Sequence, residues 1–176
     1  MKRRLTLVLI LTLIAVAAMA AAPAKPADKI HELDPLAGKW QCKGMAMAMG
    51  DMPKHDIVAT VDGKWIFGGK WLEMHYVESK TAANPHPIEV RAFFTWDAGE
   101  KKFALGSIVN DGSYSVETSN GWEGDHITFA GPNHMGGPAV NGRDTWTKKG
   151  NTVTYVFEWD DKGTWKKVVE TTCTRG

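Results

Sequence analysis

Short runs of β-branched and aromatic residues alternate with turn signals along most of the chain, and no amphipathic helix of useful length interrupts them. Val90, Ala92, Phe94 and Trp96 share one face of a segment whose other face carries Glu89, Arg91, Phe93 and Thr95. Val153, Tyr155, Phe157 and Trp159 likewise oppose Thr154 and Glu158. A period of two with one dry and one wet face is the mark of a half-buried strand. Asp62-Gly63, Asp97-Ala98-Gly99, Asn110-Asp111-Gly112, Asn120-Gly121, Gly150-Asn151 and Asp161-Lys162-Gly163 supply turn residues that tolerate positive φ. Strands are therefore predicted at about 38–49, 55–61, 65–79, 87–96, 102–109, 113–119, 122–130, 143–149, 152–159 and 164–175, with a short helical turn in 28–36. Short connections favour an all-β, up-and-down antiparallel β-barrel of about 8–10 strands. The Gly- and Pro-rich stretch from Ala130 to Gly142 reads as one long loop, either a lid over a cavity mouth or a plain surface connection.

The first residues break this pattern. Lys2, Arg3 and Arg4 precede an apolar run from Leu5 to Ala18, and Ala18-Met19-Ala20 has the small-residue spacing of a cleavage site. This is the layout of a secretory signal peptide over 1–20; the alternative, an uncleaved anchor, asks for a longer apolar run. Pro23 and Pro26 mark a linker over 21–34, leaving 35–176 as the barrel domain. The expected location is the periplasm or the exterior, with no stable membrane insertion after cleavage. Losing three basic residues from 21 Lys and Arg leaves 18 against 20 Asp and Glu, which excludes the basic excess of a nucleic-acid binder.

Cys42 and Cys173 are the two cysteines, one near each end of the domain. An even count in an exported chain reads as a disulfide, the alternative being two buried thiols. If the bridge joins adjacent antiparallel strands, opposed residues keep a constant sum, and Trp40 falls opposite Arg175 on the same face. An arginine over an indole is a favourable cation–π contact, so two pairings point to one register. The first strand then lies beside the last and the sheet closes.

Gly38-Lys39-Trp40, after a short helical turn, resembles the G-x-W motif that opens lipocalin-like (calycin) barrels. Leu36-Ala37-Gly38-Lys39-Trp40 together with Thr172-Cys173-Thr174-Arg175 is similar to a bacterial calycin-like domain family of unassigned function. The resemblance implies a barrel whose floor is closed by Trp40 and covered by Arg175; it implies no activity. Heme-binding nitrobindin-like barrels match less well: they place an axial histidine near the barrel's end, whereas the last histidine here is His134.

Few residues nominate chemistry. Met45, Met47 and Met49 alternate along one strand face, with Met52 and His55 beyond a turn. Thioethers and imidazole suit Cu(I), so a soft-metal site is one reading; the other is methionine filling an irregular core or lining an adaptable pocket. Their parity is opposite to that of Trp40 and Cys42, so they face outward unless a bulge at Gly44 flips the strand. There is no G-x-S-x-G elbow, P-loop or zinc-ligand spacing, and nothing nominates an enzyme or a cofactor. The expectation is a non-enzymatic barrel binding a small hydrophobic molecule, lined by Val90, Phe94, Trp96, Tyr155 and Phe157. The alternatives are Cu(I) binding through the Met/His cluster and a structural barrel filled by its eight tryptophans.

Overall fold

The computed structural model describes residues 28–49 and 53–176. The leader expected over 1–20, the linker up to residue 27, and Met52 lie outside the described residues. Among the described residues no helix is long and apolar enough to cross a membrane.

An N-terminal 3-10 helix (Lys29–Leu36) leads into eleven strands: β1 (Gly38–Ala46), β2 (His55–Ile66), β3 (Trp71–Glu78), β4 (Glu89–Asp97), β5 (Lys102–Val109) and β6 (Tyr114–Ser119). Then follow β7 (Trp122–Glu123), β8 (His126–His134), β9 (Val140–Lys149), β10 (Thr152–Asp161) and β11 (Thr164–Arg175). Consecutive strands pair antiparallel except β6 and β7, β1 pairs with β11, and β6 pairs with β8. The two-residue β7 sits outside the ring, so ten strands form a closed up-and-down barrel with no free edge.

The closing register is the one that the cysteines and Trp40 dictate: Trp40 opposes Arg175 and Cys42 opposes Cys173, and the two sulfurs are bonded. The Arg175 guanidinium lies 4.5 Å from the Trp40 ring centre. The same seam explains Gly44. A Cβ there would collide with the carbonyl oxygen of Glu170, so glycine lets β1 and β11 approach without a bulge.

One end of the barrel is a packed floor. Ile30, Leu33 and Leu36 of the 3-10 helix are buried against it, so the packed unit starts within the segment expected as linker. Trp40 Nε1 donates to the Leu36 carbonyl at 3.2 Å, and Trp122 Nε1 donates to the Glu32 carbonyl at 2.8 Å. Both bonds give an indole N–H its partner, buried at Trp40 and half-buried at Trp122, while fixing the helix across the opening.

Two expected connections differ. Asp62-Gly63 lies inside β2, and the turn falls at Phe67–Gly69 instead. Gly63 faces inward, where a Cβ would press on the Leu36 carbonyl; it makes room for the 3-10 helix. The expected loop over 130–142 shrinks to 135–139, because β8 and β9 extend through Gly131 and Gly142. Gly131 is needed there: a Cβ would strike the Val116 carbonyl across the β6–β8 closure.

Candidate functional site

Above the floor the interior is not filled. A cavity of about 260 Å³ extends from Leu36 and Trp40 up to Asp111, Ser113 and Met135 in the loops of the opposite end. That volume is near the lower limit of ligand pockets, which run from roughly 300 to 1,000 Å³. Its lower wall is apolar, with Val61, Met74, Ala92, Leu105 and Val153 pointing inward. Trp146 and Tyr155 form one side, their ring centres 5.1 Å apart.

The upper wall is polar and spans five neighbouring strands. Ser107 on β5 shares a 2.8 Å hydrogen bond with Ser115 on β6. Asn133 on β8 donates through Nδ2 to Glu117 Oε1 at 2.8 Å, and Tyr155 on β10 donates to Asp144 Oδ1 on β9 at 2.6 Å. Glu117 is 1% exposed and Asp144 is 7% exposed. Gly142 makes the arc compact, since a Cβ there would overlap the Asn133 amide.

Two carboxyls brought together out of water cannot both ionise cheaply. Burial pushes Glu117 up to about 9, and the neighbouring Asp144 charge adds to the effect. Burial raises Asp144 as well, opposed by hydrogen bonds with Tyr155 and Glu117. Glu117 therefore keeps its proton at neutral pH. Glu117 Oε2 is buried and has no hydrogen-bond partner. The Tyr155 hydroxyl is raised by burial and by Asp144.

A second polar group stands on β3. Tyr76 donates to Glu78 Oε1 at 2.8 Å, while Asn84 Nδ2 and the Ile88 backbone amide donate to Oε2 at 2.7 and 3.0 Å. Burial raises the Tyr76 hydroxyl, helped by Glu78. Thr171 on β11 also lines the cavity; its Oγ1 is buried and has no partner.

The residues nominated from sequence fall in several places. Val90, Tyr155 and Phe157 line the cavity. Phe94 and Trp96 point inward but lie lower, packed edge-on against Phe129 and Trp146, and against Phe103, respectively. They belong to the floor, because β4 descends into it from Val90 to Trp96.

The methionine stripe is divided. β1 keeps its parity to Ala46, so Met45 lies on the outer face, opposite Asp56 and Glu170. Beyond the strand's end the chain turns and Met49 lines the cavity. His55 is buried beside it and donates through Nδ1 to the Pro53 carbonyl at 2.9 Å. Met45 and Met49 thus sit on opposite sides of the wall and do not converge. Among the described residues no three of His, Cys, Asp and Glu cluster as a metal site.

Glu117, Asp144, Asn133, Tyr76 and Glu78 were not nominated from sequence. The available signal was an inverted strand. In β6, Ser115, Glu117 and Ser119 point inward while Tyr114 and Val116 are exposed. Compared with known proteins, the chain matches no family model and no curated protein.

Proposed function

We propose that the protein is an exported, periplasmic or secreted, non-enzymatic barrel that binds a small, mainly apolar molecule. The observation that carries this reading is the unfilled interior: ten strands enclose a cavity of about 260 Å³ instead of meshing their side chains across it. Even eight tryptophans leave that space, since Trp71 and Trp165 lie on the outside. Export is supported by the leader-like first residues and by the Cys42–Cys173 bond, which persists in oxidising compartments. The calycin-like motif around Trp40 agrees with a barrel closed at one end.

A thermal-shift screen with fatty acids, hemes and small hydrophobic metabolites tests the reading, because a ligand that binds only the native state must raise Tm. At least one class should raise Tm, and Ala92→Phe, which fills the lower cavity, should abolish the shift. A Tm indifferent to every class at high excess would overturn the proposal.

A further inference from the structure

The reading of the barrel as a binding protein leaves open what its ligand carries at the polar end, and the inference below rests on that reading. The lining supplies acidic groups at three places, Glu78, Asp111 and Asp144, and among the described residues no lysine or arginine lines the cavity. Neither Glu117 nor Asp144 takes part in an ion pair among the described residues. The hydrogen bond that Tyr155 donates to Asp144 favours the ionised form of that carboxyl in a wall that is almost out of water. A buried charge without a counter-charge is costly, and a second anion beside it costs more.

Three acceptors stand on the adjoining strands β9, β10 and β11. The Asp144 carboxylate is the first. Tyr155 donates its proton to Asp144, so its oxygen has lone pairs left to accept. Thr171 sits directly across the β10–β11 pair from Tyr155, 1% exposed, and its Oγ1 is unpartnered at the cavity wall. An alkylammonium has three N–H donors to match three acceptors. The tilted Trp146 and Tyr155 rings add aromatic faces that attract a cation.

We infer that the cavity takes a small organic amine, its ammonium held by Asp144, Tyr155 and Thr171 and its apolar body lying against Val61, Ala92 and Val153. Glu117 acts here as a positioning residue beside Asp144: it keeps its own proton and is held in place by Asn133.

Isothermal titration of the disulfide-bonded protein with three ligands of one shape tests this: 2-phenylethylamine, 2-phenylethanol and 3-phenylpropanoate. The amine should bind at least ~10-fold more tightly than the alcohol, as expected for hydrogen bonds to a charged group, and the carboxylate should bind most weakly. Asp144→Asn keeps an acceptor for Tyr155 but removes the charge. It should bring the amine to within about threefold of the alcohol, with an unchanged circular-dichroism spectrum and a cooperative thermal transition showing that the variant is folded. Equal binding of amine and alcohol, or an amine preference that survives Asp144→Asn, overturns the inference while the apolar binding barrel stands. If none of the three binds, the amine inference falls, and the hydrophobic screen decides separately whether the binding reading falls with it.

Discussion

Replacing Glu117 by glutamine should remove much of the protein's loss of stability at alkaline pH. In the unfolded chain this carboxyl titrates near the ordinary value of 4.5, while in the folded barrel it is pushed up to about 9. Between those values the native state keeps a proton that the unfolded state has released, so each rise in pH favours unfolding. One such proton is worth at most about 1.4 kcal/mol per pH unit, or about 2.7 kcal/mol between pH 6 and pH 8. For a domain of this size that is a fall in Tm on the order of 5–10 °C. Glutamine keeps a carbonyl to accept from Asn133 and an N–H to donate toward Asp144, so the arc survives without the titration. The assay is Tm or urea midpoint against pH for both proteins. Groups common to both proteins act alike on both curves, so the difference between them isolates residue 117. Glu117→Gln should overtake the wild type as pH rises. Parallel curves, or a wild-type stability flat from pH 6 to 8, would refute the buried-proton argument.

Breaking the Cys42–Cys173 bond as a double alanine variant should cost up to about 5 kcal/mol in urea unfolding, because the bond spans 131 positions of chain. Gly44→Ala should destabilise by about 1–3 kcal/mol and weaken amide-exchange protection along β1 and β11, since its methyl group would meet the Glu170 carbonyl. Arg175→Ala should cost about 1 kcal/mol and shift the fluorescence of Trp40, whose ring it uncovers.

The barrel was legible in the sequence because its strongest signals are local. Period-two alternation in β4 and β10 needs no partner to be recognised, and the Trp40–Arg175 register follows from counting once the cysteines are paired. Turn chemistry was less decisive. Asp62-Gly63 and the glycines of 130–142 look like turns, but these glycines serve close backbone approaches that depend on segments far along the chain. The polar arc was illegible for a related reason. A lone glutamate in Tyr114–Ser119 reads as a solvated face, and only the tertiary partners Asn133 and Asp144 make an inward Glu117 tolerable. Tyr155 and Phe157 were found because they are aromatic on an apolar face; Asp144 lies between the unremarkable neighbours Arg143 and Thr145.

Pairing β1 with β11 also sets the order in which the molecule can be made. A strand formed from residues 38–46 finds its second neighbour only when residues 164–175 have arrived, so its outer edge stays open while almost all the rest of the domain is being delivered. Contacts this distant in sequence slow folding and prolong exposure of an adhesive strand. A chain cut short before β11 would have neither a sealed wall nor a sulfur partner for Cys42, and would be left to aggregate or to bond with a stranger.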